Sequence, residues 1–359
     1  MNDPIQLLMR DALAEGRKGL GLTAPNPPVG AVVVRDGRVV GRGHHERAGA
    51  PHAEPIALAD AGAAAEGADL VVTLEPCCTA GKTPPCTEAI LRAGIRRVFV
   101  GCTDPNPVHA GRGLSQLEQA GVEVRCGILE PECRELIRAF AYVQRTGLPY
   151  VTLKLACTLD GRIADGDGNS KWITGDASRE RVQAFRREAD AMLVGTNTVL
   201  RDNPSLMPRP ARGRLPWRVV PDRTGRLPLD AKVFTDASAE RTLCLLGPRA
   251  SKRKEELEHR GVRVRLVEEK LGALDWEAVL TTLAADGINH VLCEGGGKLA
   301  SSLMRNGFVQ ELHWMTAPKL LGDAGTPAVA GGWTLPEAPE FRMTGVERLG
   351  DDVWMRLTI

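Results

Sequence analysis

A histidine, a carboxylate and two cysteines in a fixed order constrain this chain more than any other feature. His52 and Glu54 stand two positions apart at the start of an alanine-rich segment. Cys77 and Cys86 each follow a proline further along the chain. Catalytic zinc commonly has three protein ligands and a water in the fourth position. We therefore predict zinc bound by the histidine and the two cysteines, with Glu54 moving the proton of the bound water.

The order of these residues also indicates a class of reaction. His-x-Glu followed by Pro-Cys and a second cysteine is typical of zinc-dependent nucleobase deaminases, in which the glutamate is an acid and base and not a ligand. The alternative is a structural zinc site, which normally has four protein ligands. Cys78 could be the fourth, but adjacent residues seldom point to one tetrahedral centre, and we interpret Cys78 as a packing residue.

Length and composition favour two domains. A chain of 359 residues, 43% of them hydrophobic, can form two packed cores. A net charge of +1 argues against a nucleic-acid partner, and no apolar run reaches the 18 residues of a membrane span. The first residues contain neither a basic leader nor an apolar signal core. We expect a cytoplasmic protein whose nine cysteines are metal ligands or buried thiols and not disulfides.

Residues 1–146 are predicted to form a layered α/β domain. Two β-branched runs flank Asp36-Gly37, a turn pair typical of a hairpin. The His-x-Glu segment then opens a helix that runs to about Gly62. Further along, the pattern predicts strands over 70–74 and 97–101 and a helix over 88–92. Alternation of strands and helices indicates a layered α/β domain that ends near Thr146.

A new series of strands begins after a short linker and defines a second domain, residues 147–359. The apolar runs predict strands over 150–155, 191–195, 217–220, 242–246, 262–266, 290–294, 341–346 and 353–357, and polar helices over 251–260 and 276–285. The strand that ends at Glu294 continues into Gly295-Gly296-Gly297 and a helix, a geometry that binds phosphate through backbone N–H groups. The triplet could equally be a tight turn, because the full G-x-G-x-x-G pattern is absent.

Several short motifs extend along both halves of the chain. The first half contains Asn26-Pro27, His52-Ala53-Glu54, Thr73-Leu74-Glu75-Pro76-Cys77, Gly81-Lys82-Thr83-Pro84-Pro85-Cys86 and Asp104-Pro105-Asn106-Pro107. The second contains Lys154, Asp160-Gly161, Ser170-Lys171-Trp172-Ile173-Thr174, Thr198, Asp202-Asn203-Pro204 and Glu294-Gly295-Gly296-Gly297. Together they resemble the bifunctional deaminase–reductase family of riboflavin biosynthesis over nearly the whole chain. The resemblance implies an N-terminal cytidine-deaminase-like three-layer α/β domain and a C-terminal dihydrofolate-reductase-like α/β domain with a mixed sheet.

Around the predicted zinc site, the resemblance implies the same three metal ligands and the same catalytic glutamate. It adds residues that would bind the pyrimidine and the ribose phosphate, namely Asn26, His45, Lys82 and Asn106. The alternatives are an ordinary surface or core histidine for His45 and a solvated lysine for Lys82. The chain departs from the family at Cys78-Thr79, where many members have Ser-His, and at Pro55-Ile56, where many have Val-His after His-Ala-Glu.

For the second half, the resemblance implies an NADPH-dependent reductase. Its substrate would contact Lys154, Ser170, Arg186, Leu206, Arg209 and Glu294. NADPH would contact Ala156, Trp172, Thr198, Asp202, Arg223, Gly295, Gly296, Gly297 and Lys298. Arg223 would pair with the 2′-phosphate that distinguishes NADPH from NADH. The alternatives are structural: Trp172 in the core, Lys154 in an interior ion pair and Arg223 as a solvated loop arginine.

The two predicted activities act in sequence. A zinc-bound water would deaminate the diaminopyrimidinone ribosylamine phosphate made from GTP, and hydride from NADPH would then open the ribose of the aminouracil to a ribityl chain. One alternative is a deaminase–reductase fusion that acts on another pyrimidine or a pterin-like nucleotide. Another is a zinc-stabilised nucleic-acid-binding module. We expect small-molecule substrates, neither nucleic acid nor membrane as a partner, and a homo-oligomer.

Overall fold

The computed structural model describes residues 3–79, 84–211, 213–270 and 272–359. These residues divide into two compact units, Met1–Leu148 and Pro149–Ile359, and each unit has its own sheet. Within the described ranges, no helix has both the length and the apolar character needed to cross a membrane.

The first unit consists of a five-stranded sheet and its helices. Its elements are α1 Pro4–Arg17, β1 Gly30–Arg35, β2 Arg38–His44, α2 Ala53–Ala61, β3 Asp69–Leu74, α3 Cys86–Arg92, β4 Arg97–Cys102, α4 Arg112–Gln119, β5 Glu123–Cys126, α5 Glu130–Leu136 and α6 Arg138–Thr146. The strand order is β2-β1-β3-β4-β5, with β1 antiparallel to both neighbours and the remaining pairs parallel. Helices α2, α3 and α4 contact one another in turn, whereas α1 contacts α5. The predicted layered α/β architecture is confirmed.

The hairpin and the helix start that were predicted in this unit are both present. Asp36 and Gly37 have positive φ angles of 49° and 74°, as a two-residue type I′ turn requires. The helix that follows the hairpin is α2, with His52 at its N-cap and Gly62 at its C-cap. Pro55 fits its first turn, where backbone N–H groups have no partner within the helix.

Two glycines of β2 allow α2 to pack directly on the sheet. A Cβ atom at Gly43 would lie 2.3 Å from the carbonyl oxygen of Ala53, and one at Gly41 would lie 2.3 Å from that of Ala57. Contacts this short are sterically forbidden, so both positions require glycine. The close packing determines where the first turn of α2, which carries Glu54, lies relative to the sheet.

The second unit is built on a nine-stranded mixed sheet. Its elements are β6 Tyr150–Thr158, β7 Arg162–Ala164, α7 Asp176–Glu188, β8 Ala191–Leu193, α8 Thr196–Asp202, β9 Trp217–Pro221, α9 Lys232–Thr235, β10 Thr242–Leu246, α10 Arg253–Glu258, β11 Arg263–Leu266, β12 Glu269–Lys270, β13 Ala273–Leu274, α11 Trp276–Ala285, β14 His290–Cys293, α12 Gly297–Arg305, β15 Glu311–Ala317, β16 Thr326–Pro327, β17 Arg342–Leu349 and β18 Asp352–Thr358. The sheet order is β11-β10-β9-β8-β14-β6-β15-β18-β17. All pairs from β11 to β15 are parallel, and β18 is antiparallel to β15 and β17. The predicted mixed sheet is confirmed.

A buried carboxylate shapes the turn that follows β9. Asp222 is 1% exposed, and its two carboxylate oxygens accept the backbone N–H groups of Arg226 at 3.0 Å and Leu227 at 2.9 Å. Gly225, with φ of 68°, completes the turn. Because β8, β9 and β14 are parallel neighbours, this turn lies at the same edge of the sheet as the glycine run after β14.

Candidate metal centre and nucleotide pocket

In the first unit, His52, Cys77 and Cys86 come together from the start of α2, the loop after β3 and the start of α3. His52 Nδ1 lies 3.5 Å from Cys77 Sγ and 3.3 Å from Cys86 Sγ, and the three atoms lie within 4.8 Å of one another. Within the part of the chain that the structure describes, this is the group of side chains that could hold a metal, and Cys78 is not part of it. One imidazole nitrogen and two sulfurs fit the donor set of a catalytic zinc ion.

The electrostatics of this cluster favour a thiolate. A hydrogen bond from the Cys86 thiol, together with the neighbouring His52 ring, lowers the pKa of the Cys77 thiol. The backbone N–H of Cys86 also points to Cys77 Sγ, at 3.4 Å. The hydrogen bond to Cys77 and burial raise the pKa of the Cys86 thiol, so the first of the two protons is lost far more readily than the second. A bound cation would stabilise both thiolates.

Glu54 lies beside the cluster and is almost completely buried. Glu54 is 3% exposed. Burial, and to a lesser extent the negative charge of Cys77, raise the pKa of its carboxyl to about 7. A carboxyl group that titrates near neutral pH can both accept and donate a proton during one reaction cycle. The structure therefore places a suitable acid and base next to the three predicted ligands.

Asn26 and His45 form a hydrogen-bonded chain next to the cluster. His45 is 2% exposed, and its ring packs edge-on against that of His52 with the centroids 5.2 Å apart. His45 Nδ1 lies 2.9 Å from the carbonyl oxygen of Pro51, which can only accept, so Nδ1 carries the proton. His45 Nε2 then accepts a hydrogen bond from Asn26 Nδ2 at 3.0 Å, and burial lowers the pKa of the ring.

Glu75 anchors the loop that contains Asn106. It is the residue before Pro76-Cys77 in the sequence motif, and no role was predicted for it. The residue is 3% exposed, and its carboxylate accepts the backbone N–H groups of Asp104 at 3.1 Å, Gly111 at 2.9 Å and Gly113 at 2.9 Å. These bonds connect the residue before Pro76-Cys77 to the loop after β4. A buried acidic residue at the end of a strand was the available signal, but its partners are 29 to 38 positions away.

The variant Glu75→Gln tests this anchor. Its amide group presents an N–H group where the carboxylate accepts, so at least one buried backbone N–H loses its partner. We expect the free energy of unfolding of the first unit to fall by about 1–3 kcal/mol, and the KM of the predicted deaminase reaction to rise because Asn106 is displaced. Urea unfolding and steady-state kinetics measure both effects. Unchanged reductase kinetics serve as the internal control, and unchanged stability would contradict the anchoring role.

Two other residues considered in the sequence have different outcomes. Lys82, predicted to bind phosphate, lies outside the described residues. Cys78 is half-buried, with Sγ 3.9 Å from His109 Nδ1, and burial raises the pKa of its thiol. A neutral side chain in this position agrees with a packing role.

In the second unit, a pocket of about 540 Å³ lies at the carboxyl edge of the sheet. Its size is within the range of small-molecule and cofactor sites. Seven of the predicted reductase residues line it, namely Ser170, Thr198, Asp202, Arg223, Gly296, Gly297 and Lys298. Gly296 caps α12, and a Cβ atom at Gly297 would lie 2.7 Å from the carbonyl oxygen of Pro327. The glycine run therefore brings the backbone of a helix start to the pocket wall, as phosphate binding requires.

Three further predicted residues form a charged cluster at Glu294, the residue before the glycine run. Arg186 donates to both carboxylate oxygens of Glu294, at 2.7 and 2.9 Å, and the two side chains are 15% and 12% exposed. Arg186 lowers the pKa of Glu294 against the opposing effect of burial. Lys154, on β6, is half-buried close by, and desolvation lowers the pKa of its ammonium group. The Glu294 carboxylate forms its ion pair with Arg186, and the charge of the nearby Lys154 lowers its pKa further.

The remaining predicted reductase residues lie in varied environments. Trp172 is 60% exposed with Arg179 4.6 Å from its ring centroid, so the alternative of a core indole is wrong. Leu206 is 4% exposed, with a positive φ of 63°. Arg209 is exposed, and its backbone N–H donates to Gln183. Ala156 lies two positions after Lys154 on β6, and Gly295 is packed against Leu299.

Comparison with known proteins agrees with both units. Residues 3–102 match the family described as "Cytidine and deoxycytidylate deaminase zinc-binding region", and residues 149–355 match "RibD C-terminal domain". The riboflavin biosynthesis protein RibD of Bacillus amyloliquefaciens is 42% identical over 349 residues, 96% of this chain and 94% of the relative. That of Escherichia coli is 40% identical, with 97% of this chain and 98% of the relative covered.

The chain belongs to the RibD family.

Solved structures of this family have the same overall fold. RibD of Acinetobacter baumannii superposes with a TM-score of 0.89 at 38% identity, covering 99% of this chain and 98% of that one. A protein of Thermotoga maritima described as a diaminohydroxyphosphoribosylaminopyrimidine deaminase and 5-amino-6-(5-phosphoribosylamino)uracil reductase superposes with a TM-score of 0.89 at 37% identity, with the same coverage.

Membership of the RibD family confirms several predictions. The chain is a bifunctional enzyme of riboflavin biosynthesis with a deaminase and a reductase activity, and zinc and NADPH fit its two domains. A small-molecule substrate agrees with these two domains. The fusion acting on a different pyrimidine or pterin-like nucleotide is not favoured.

Proposed function

We propose that the first unit deaminates the diaminopyrimidinone ribosylamine phosphate to the corresponding aminouracil. The observation that supports this most directly is the buried Glu54 carboxyl, with a pKa of about 7, beside a cluster of one imidazole and two thiols. His52, Cys77 and Cys86 would hold the zinc ion, which would supply the Lewis acidity that lets water react at neutral pH. Glu54 accepts the proton of the attacking water and then delivers protons to the ring nitrogen and the departing ammonia.

The hydrogen-bonded chain at His45 supports a role in substrate binding. Because Asn26 Nδ2 faces His45 Nε2, the Asn26 carbonyl oxygen is turned towards other donors, such as amino and ring N–H groups of a pyrimidine. We assign Asn106, held in its loop by Glu75, and Lys82 to the ribose phosphate on the basis of the family pattern. A lysine ammonium and an amide both suit phosphate oxygens.

The second unit, in this proposal, reduces the ribose of the aminouracil with hydride from NADPH. The pocket that contains Ser170, Thr198, Asp202 and the start of α12 would hold the cofactor, and the backbone N–H groups of the glycine run would suit its diphosphate. Trp172, Ala156, Gly295 and Lys298 complete the cofactor site, and Leu206 and Arg209 the substrate site. Lys154, Arg186 and Glu294 hold the ribose phosphate end in a half-buried charged cluster.

One experiment tests both activities together. The full chain is loaded with zinc and supplied with the diaminopyrimidinone ribosylamine phosphate, while ammonia release and NADPH oxidation are followed separately. We expect ammonia first, without NADPH, and NADPH oxidation only after ammonia has formed. Oxidation of NADPH without deamination would contradict the order, and absence of ammonia would contradict the assignment of the first unit.

The charged cluster of the reductase gives a separate prediction. Arg186→Gln leaves the Glu294 carboxylate buried without its bidentate partner, so we expect the free energy of unfolding to fall by about 3 kcal/mol. The double variant Arg186→Gln/Glu294→Gln removes both charges and should recover much of the stability but none of the reductase activity. Chemical denaturation and NADPH oxidation measure the two effects. If the double variant regained activity, the cluster would be structural only.

Homo-oligomerisation and a cytoplasmic location stay predictions from the sequence.

A further inference from the structure

Five ionised side chains line the nucleotide pocket, and they are not equivalent. They are Arg201, Asp202, Arg223, Arg226 and Lys298. A 2′-phosphate carries a charge between −1 and −2 at neutral pH and is bound best by a guanidinium that no carboxylate already neutralises. The partner of each cation therefore indicates which one recognises the 2′-phosphate.

Arg223 is already neutralised. Its guanidinium lies 2.9 Å from a carboxylate oxygen of Glu269 in an ion pair in which the side chains are 39% and 21% exposed. A phosphate at Arg223 would approach the Glu269 carboxylate as well, and repulsion between the two anions would offset much of the attraction. Arg223 is thus a loop arginine that is both 39% exposed and ion-paired.

The guanidinium of Arg226, in contrast, has a neutral partner. Its guanidinium donates a hydrogen bond of 2.5 Å to Asn197 Oδ1, a neutral acceptor. Among the residues that the structure describes, it has no carboxylate within ion-pair distance. Its backbone N–H donates a hydrogen bond to the buried Asp222, which fixes the turn that carries the Arg226 side chain. Both Arg226 and Asn197 line the pocket.

The other two cations of the pocket, Lys298 and Arg201, lie in different surroundings. Lys298 lies in the first turn of α12, next to the backbone that would bind the diphosphate. Arg201 lies against the loop at Gly168, with Nη1 3.4 Å from the position of a Cβ atom there. Among the described residues, neither Lys298 nor Arg201 has a hydrogen bond to a side-chain amide of the pocket wall, as Arg226 has to Asn197.

We infer that Arg226, oriented by Asn197, recognises the 2′-phosphate of NADPH and makes the reductase prefer NADPH to NADH. This inference rests on the proposed reductase function. It assigns to Arg223 a minor part in the choice between the two cofactors, because Glu269 neutralises it.

The test compares two adenylates that differ at the 2′ position, 2′,5′-ADP and 5′-AMP, by calorimetry on the zinc-loaded full chain. Arg226→Gln should weaken 2′,5′-ADP about 10- to 100-fold, as expected for one charge-assisted hydrogen-bonded contact, with 5′-AMP affinity unchanged. Arg223→Gln, a matched change on the same turn, should alter the ratio of the two affinities less than about 3-fold. The ratio of kcat/KM for NADPH and NADH should follow the same order.

The outcomes separate the inference from the function on which it rests. The inference would be overturned if Arg223→Gln or Arg201→Gln lost more 2′,5′-ADP affinity than Arg226→Gln. It would also be overturned if the parent chain oxidised NADPH but bound the two adenylates equally well. A parent chain that binds neither adenylate and oxidises neither cofactor would instead overturn the reductase proposal. Rescue adds a check: Glu269→Gln in the Arg226→Gln background should release Arg223 and restore part of the preference.

Discussion

The variant Glu54→Gln is expected to reduce the rate of ammonia release by about 10²- to 10⁴-fold while leaving the protein folded and zinc bound. Glutamine has nearly the same shape as the glutamate that it replaces, but it cannot take a proton from water or return it to the leaving group. Because Glu54 is 3% exposed, no bulk water can easily replace it as a base. The reductase activity, supplied with the aminouracil, should be unaffected.

Three measurements on this variant define its interpretation. Ammonia release measures the deaminase, elemental analysis measures zinc and NADPH oxidation measures the reductase. Glu118→Gln, the same change at an exposed position of α4, is the matched control and should behave as the parent. If Glu54→Gln retained near-normal deamination, Glu54 would not be the acid and base. If it lost zinc, the carboxylate would belong to the metal site itself.

Loss of a metal ligand is expected to have an effect of similar size by a different route. Cys86→Ser removes the thiol that lies 3.3 Å from His52 Nδ1. A serine hydroxyl is a much poorer zinc ligand than a thiolate. We expect zinc content to fall at least about 10-fold, because loss of a ligand lowers the affinity for zinc. Deamination should then become undetectable. Chelation of the parent protein should have the same effect on deamination, and added zinc should reverse it.

The neighbouring cysteine offers the control for this experiment. Cys78→Ser changes the same atom at a position that is not part of the metal-ligating group. It should retain zinc and deamination, and both variants should retain the reductase activity, which the second unit carries. Equal zinc loss in Cys78→Ser would indicate a site with four protein ligands, and zinc retention in Cys86→Ser would remove Cys86 from the ligand set.

Features that depend on neighbouring residues could be predicted from the sequence. The Asp36-Gly37 pair predicted a hairpin because both residues tolerate positive φ angles, and both have them. The His-x-Glu segment predicted a helix start because a proline in the first turn costs no hydrogen bond. The relation among His52, Cys77 and Cys86 was also predictable, since only a few chemical arrangements require these residue types in that order.

Features that depend on distant pairs of side chains could not be predicted. Glu269 neutralises Arg223 from 46 positions away, and Arg186 pairs with Glu294 across 108 positions. Charged residues are common in the sequence, and nothing in the local pattern indicates which carboxylate meets which guanidinium. The sequence did not single out Arg226 for the same reason. Its guanidinium is available to a phosphate because no carboxylate lies among its described neighbours, and only the packed structure shows this.

The strand β2 contains none of the predicted catalytic residues, yet the deaminase depends on it. A methyl group at Gly41 or Gly43 would collide with main-chain oxygens of α2 and push the helix away from the sheet. Such a displacement would carry the base and the imidazole ligand with it and leave the two cysteines behind. Alanine at either glycine should therefore act as an active-site lesion, and screens for inactive variants should find this strand as readily as the metal ligands.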